Sequence, residues 1–373
     1  MNKVSEMARL CLSIMRANEM RGYTVKYLNP LAPRDAERAI SDSERLVLFG
    51  IKDTSQISRQ LVQNLRRAPG YVWLTVDTCS FKGRAIDPFR INPLTGRVMT
   101  GSSSGSAINV LYGINDLAVG ADGGGSVLGP ALSCNLFGIV ASGIGLTGTR
   151  QRISTDELSF VPGIGVISKD IQVALDAVEH LTLKQISTDV INEESLDGVI
   201  VGVPARGCLE LPTLGDMREN LMRVVGSLER FGVQVKELNL SGCDDRKTAL
   251  HALSHAFSEV DIVISYEGPI DVWGLGDSVL GELGVTGRRV RQTSGKFLIR
   301  AANMSQATSI VLPGTDMACG VVLMAKPGFV TARKALKLAV EIDRGIVRPP
   351  LFYRYFRQDP VEADDLFFGG EWF

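Results

Sequence analysis

Two stretches of the chain concentrate residues that could do chemistry. One is Thr100-Gly-Ser-Ser-Ser-Gly-Ser-Ala107, and the other is Gly120-Ala-Asp-Gly-Gly-Gly-Ser-Val-Leu-Gly-Pro130. Residues 101 to 148 hold 12 of the 39 glycines in 373 residues, so the backbone is asked to approach something closely there. Glycine-rich turns can cradle phosphate with successive N–H groups. Here no G-K-[ST] closes either stretch, and no G-x-G-x-x-G opens a strand–helix unit before an acidic residue. Gly101 to Gly105 matches G-x-S-x-G with Ser103 as nucleophile, but that mechanism needs a histidine late in the chain. The histidines are His180, His251 and His255, and the last lies in helical text. Serine chemistry in this segment therefore needs a base other than histidine.

The composition narrows the partners. Forty basic and forty-one acidic residues leave a net charge of −1, which carries no electrostatic footprint for nucleic acid or an anionic membrane. A small or neutral ligand is expected. The longest apolar run, Leu136 to Leu146, is about half of the roughly 20 residues that a spanning helix needs. Glu6 and Arg9 interrupt what would be the apolar part of an export signal, so a cytoplasmic protein is expected. The six cysteines, 11, 79, 134, 208, 243 and 319, form no C-x-x-C pair and fit packed thiols in a reducing compartment. His251, His255 and Glu259 share a helix face, but no third ligand motif accompanies them; no metal or other cofactor is expected.

The elements around these stretches alternate. Helices are expected at 5–19, 33–44 and 57–67, strands at 46–51 and 71–76, and loop from Asp77 to Thr100. In helix 5–19 the spaced apolar residues are Met7, Leu10, Ile14 and Met15. A helix and a short strand join the two glycine stretches. Further helices are read at 168–180, 214–231, 292–306 and 331–342, with strands at 198–203, 233–238, 260–265, 309–312 and 321–325. The fold class is α/β: a mixed central β-sheet flanked by helices on both faces, as one domain over residues 1–343. The tail, 344–373, is rich in Pro, Asp and aromatic residues, among them Phe352, Tyr353, Tyr355, Phe356, Phe367 and Phe368. It is expected to wrap over its own protomer or over a neighbouring one, which would make a homodimer.

Taken together, the two glycine stretches resemble the amidase signature family, whose pattern runs close to G-G-S-S-G-G-S-A, a helix, then G-x-D-x-G-G-S-[IV]-R-x-P. The separation of Ser102 and Ser126 (126 − 102 = 24) is similar to the spacing in that pattern. Asn92-Pro93 and Cys134-Asn-Leu-Phe-Gly138 stand where the family has Asn-Pro and C-G-x-x-G. The resemblance implies a serine amidase acting on the C–N bond of a carboxamide, with Ser126 as nucleophile, Ser102 as proton relay and a lysine as base. Family members end an apolar strand with a Val-Lys-Asp-type motif, which Gly50-Ile-Lys52-Asp-Thr54 fits. Lys26, on a shorter strand and without a following Asp, is the rival. The resemblance further implies a cis Gly101–Ser102 bond and an oxyanion hole made by the backbone N–H groups of Gly123, Gly124, Gly125 and Ser126. Asp122 would hold that turn. Ser103 and Ser106 are expected to cap the next helix or bond within the loop, with Ser103 helping to orient Ser102.

Some family positions differ. Leu128 replaces an arginine, Val140-Ala-Ser142 replaces Lys-Pro-Thr, and the chain between Lys52 and the serine loop is shorter than is usual in the family. These changes bear on substrate more than on reaction class, and suggest an open or unusually shaped acyl pocket. The partner is expected to be a small-molecule amide or acyl donor. An acyltransferase or amide-forming enzyme using the same acyl-enzyme, or a non-catalytic scaffold with the same fold, are the alternatives.

Overall fold

The computed structural model describes residues 3–348, and the expectation for the aromatic tail falls largely outside the described residues. Eleven strands form one mixed sheet: β1 (Val25–Leu28), β2 (Val47–Lys52), β3 (Tyr71–Asp77), β4 (Leu117–Asp122), β5 (Phe137–Ala141), β6 (Gly163–Ser168), β7 (Ile200–Pro204), β8 (Gln234–Leu238), β9 (Ile262–Glu267), β10 (Thr308–Pro313) and β11 (Gly320–Ala325). Their order across the sheet is β1-β3-β2-β4-β6-β5-β10-β11-β9-β7-β8. The neighbours β3, β2 and β4 run parallel, so Lys52, Asp77 and Asp122 all finish at one edge. In α/β sheets ligands gather outside the carboxyl ends of parallel strands.

Helices cover both faces. Leu48, Val72 and Leu74 pack with α1 (Lys3–Glu19) and α2 (Ala32–Asp42) through Leu10, Ala17, Ala36 and Ile40. Phe49, Ile51 and Tyr71 join the main core on the opposite face, with Leu65 of α3 (Arg59–Arg66) and Ala107, Ile108, Val110 and Leu111 of α4 (Ser104–Leu111). This division follows from the two-residue period of a strand. In α1 the buried stripe is Glu6, Leu10, Ser13 and Ala17, while Met15 is exposed. The helix turns this way because Glu6 accepts the Leu46 N–H at 2.8 Å and Arg9 Nη2 at 2.9 Å, anchoring the start of β2.

Three local expectations are corrected. The segment from Asp77 to Thr100, read as loop, contains an antiparallel ribbon of Ile86–Ile91 with Val98–Thr100. Strand β6 has no counterpart among the strands expected from the sequence. Residues 292–306 are not an α-helix: a helix ends at Gln292, Gly295 has a φ of +71°, and a short 3-10 turn follows at Leu298–Arg300. The buried Glu267 carboxylate accepts the N–H groups of Phe297 and Ile299 at 2.7 and 3.1 Å, taking two donors that a helix would use internally.

Candidate active site

Lys52 is the last residue of β2 and is 4% exposed. Its Nζ donates to Ser102 Oγ at 2.6 Å and to the Ala121 carbonyl at 3.0 Å. Its pKa is lowered to about 8, chiefly by burial and in part by Arg152, against the opposing pull of Cys79 and Asp122. A lysine becomes a base only when a setting like this favours its neutral form. Lys26 is different: it is 58% exposed on edge strand β1, and its Nζ pairs with Asp53 at 2.6 Å, which raises its pKa.

The serine loop leaves the ribbon at Thr100 and enters α4. The Gly101–Ser102 peptide is cis. Position 101 has no room for a side chain, because a Cβ would lie 2.2 Å from the Arg84 carbonyl. Ser102 is buried, and its carbonyl accepts the Ser80 N–H at 3.1 Å. Ser103 stands at the N-cap of α4 without capping it; its hydroxyl and N–H both donate to the Ser126 carbonyl, at 2.6 and 3.1 Å. Nor does Ser106 cap: it donates to Asp77, a buried carboxylate that also accepts from Thr75 and Asn109 and whose pKa burial pushes up to about 6. Asp77, in register with Lys52, was not among the residues expected from the sequence, although its place at the end of the adjacent strand was a usable signal.

Asp122 ends β4 and organises the turn that follows. Its Oδ1 accepts the Gly125 N–H at 2.7 Å, and its Oδ2 accepts those of Val127 and Leu128 at 2.5 and 3.2 Å. Gly125 makes the turn with a φ of +91°. Of the four N–H groups expected to form an oxyanion hole, that of Gly125 is committed to Asp122, whereas Gly123, Gly124 and Ser126 line the cleft. Ser126 is half-buried, and among the described residues its hydroxyl makes no hydrogen bond.

Lys52, Ser102 and Ser126 share a cleft of about 540 Å³. Arg84, Arg152 and Arg246 also face it, from segments too distant in the chain to have formed a motif. Leu128 is wholly buried and does not line the cleft, so its replacement of an arginine does not by itself open the site. His251 and His255 are exposed, Glu259 pairs with Lys236, and no cluster fit to hold a metal occurs among the described residues. Nor is any helix among them long and apolar enough to cross a membrane.

Residues 88–265 match the family model described as Amidase. The chain is 34% identical over 157 residues to a glutamyl-tRNA(Gln) amidotransferase subunit from Methanothermobacter thermautotrophicus; the match covers 40% of this chain and 34% of that one. The chain thus spans about a third of the length of that relative. Among solved structures, a bacterial aryl acylamidase of the amidase signature family superposes with a TM-score of 0.64 at 15% identity, covering 95% of this chain and 96% of that one. The 6-aminohexanoate cyclic dimer hydrolase superposes with a TM-score of 0.65 at 14% identity, covering 94% and 96%. These likenesses agree with the architecture of the sheet: the chain has the fold of the amidase signature structures, and residues 88–265, just under half of it, match the Amidase model.

Proposed function

We propose that the protein hydrolyses the C–N bond of a carboxamide through an acyl-Ser126 intermediate. The observation that carries this reading is the 2.6 Å contact between the buried Lys52 Nζ and Ser102 Oγ. A serine hydroxyl needs an adjacent base to become nucleophilic. In the neutral form Lys52 takes the Ser102 proton, Ser102 takes that of Ser126, and Ser126 Oγ attacks the carbonyl carbon. The N–H groups of Gly123, Gly124 and Ser126 stabilise the developing oxyanion, and the Asp122 bonds fix them in place beforehand. As the C–N bond breaks, the proton returns through Ser102 to the leaving nitrogen, giving free amine or ammonia. Water then attacks the acyl-enzyme by the same relay, releasing the acid and restoring Ser126. No cofactor or metal is required in this scheme, and a cytoplasmic setting and small-molecule amides suit it.

Intact-mass spectrometry of the protein quenched during turnover of a panel of amides and esters tests it. An acyl adduct that disappears in Ser126→Ala is expected; hydrolysis with an undiminished rate in Ser126→Ala would refute it. A second reading is favoured by the match to an amidotransferase component: the acyl group or the released nitrogen passes to an acceptor other than water. Added amine that diverts the product from acid to a new amide, at the expense of hydrolysis, would select it.

A further inference from the structure

The cleft is rich in cations, and most are already answered. Arg84 pairs with Asp277, Arg246 pairs with Asp156, and the Asp53 carboxylate is held by Lys26 at 2.6 Å. The Arg152 guanidinium is left unanswered: it faces the cleft, is exposed, and makes no ion pair or hydrogen bond among the described residues. Lys82, which also lines the cleft, has no acidic partner among the described residues and rests over the Phe81 ring at 5.3 Å.

Arg152 is also well placed. It lies on a two-stranded ribbon, Arg152–Ile153 with Ser159–Phe160, in which it is paired with Phe160. The Phe160 ring covers the candidate oxyanion turn so closely that a Cβ on Gly123 would meet it at 2.5 Å. The ribbon therefore borders the turn of residues 123–126, with an unanswered guanidinium lining the cleft. Arg152 is close enough to Lys52 to weaken that lysine's hold on its proton, which places both in one electrostatic space. Phe160, Pro162 and Met304 add apolar wall to the same cleft.

We propose that the acyl part of the substrate carries a carboxylate, which Arg152 receives at the mouth of the cleft while the amide carbonyl lies against the turn of residues 123–126. The proposal rests on the hydrolase reading above. A guanidinium offers a carboxylate two parallel N–H donors, and an arginine left without an acidic partner is free to form that pair. The apolar wall fits a short methylene spacer between carboxylate and amide, so the class is the monoamide of a dicarboxylic acid.

Binding to the Ser126→Ala variant tests the site without chemistry. By calorimetry, succinamate and glutaramate are compared with their neutral diamides, succinamide and glutaramide. Binding of at least one monoamide about tenfold or more tighter than its diamide is expected. The preference should collapse in Ser126→Ala/Arg152→Gln and reverse in Ser126→Ala/Arg152→Glu, with melting temperatures showing that the variants are folded. Equal binding of anionic and neutral partners at both lengths would overturn the proposal. So would a preference that survives Arg152→Gln undiminished. In parallel, wild-type protein that turns over none of the four amides, while Ser126→Ala binds them, would refute the hydrolase reading and the proposal with it.

Discussion

The pH dependence of acylation follows from where Lys52 sits. Its pKa is lowered from 10.5 to about 8, chiefly by burial. With that value about a tenth of the enzyme carries the neutral base at pH 7 and about nine-tenths at pH 9. The kcat/KM for a neutral amide, which reports the free enzyme, should therefore rise roughly tenfold between these two values and level off above. Cys79 does not blur the result, since burial pushes its thiol above its usual range. The direction of one further shift is also set: Arg152 helps lower the Lys52 pKa, so Arg152→Gln should move the inflection to higher pH. The assay is a pH–rate profile with acetamide, propionamide or benzamide, none of which titrates in this range. A profile flat from pH 7 to 9, or one that falls, would refute the assignment of Lys52 as the base.

Lys52→Ala should cost about 10² to 10⁴ in turnover while the fold persists, whereas Lys26→Ala, which removes an exposed ion pair, should change stability by less than about 1 kcal/mol and activity little. Keeping Lys52 in its buried place costs stability at neutral pH: the unfolded chain holds this proton between pH 8 and 10.5 and the folded chain does not, so stability rises with pH across that window by about 3 kcal/mol. Lys52→Met removes this slope at the loss of two hydrogen bonds, on the order of 1 kcal/mol each, so thermal melts at pH 7 should show it no less stable than wild type, yet inactive. Asp122→Ala strands three buried N–H groups and should lower stability on the order of 3 kcal/mol by denaturant titration, with kcat falling more steeply than KM rises. Gly101→Ala, which forces a Cβ against the Arg84 carbonyl, should lose activity as measured with the same amides.

Much of the site was legible because it is local. The apolar run into Lys52, and the two glycine stretches spaced for a helix and a strand between them, fix their own geometry within a few residues. Lys52 and the turn from Asp122 to Ser126 are then brought together by the adjacent parallel strands β2 and β4, which alternation of β and α predicts. The cleft's other wall was illegible for the opposite reason. Arg152, Arg246 and the Arg84–Asp277 pair arrive from separate parts of the chain and meet only through tertiary packing. Strand β6 was missed because every residue of Gly163–Ser168 is buried, so the sequence lacks the polar alternation that marks a half-exposed strand. Residues 292–306 have helical composition, but the Glu267 carboxylate captures their backbone donors, a long-range effect that no window of sequence contains. The engagement of Gly125 has a similar origin: a glycine run advertises free N–H groups but does not say that Asp122 takes one of them.

The central claim is that Ser126 is the nucleophile, driven by Lys52 through Ser102. Covalent labelling with a fluorophosphonate probe, followed by peptide mapping, measures it most directly. The account predicts a single adduct on Ser126, absent in Ser126→Ala and formed far more slowly in Ser102→Ala and Lys52→Ala. Folded wild-type protein that takes up no label, or an adduct that maps to Ser103, would contradict it.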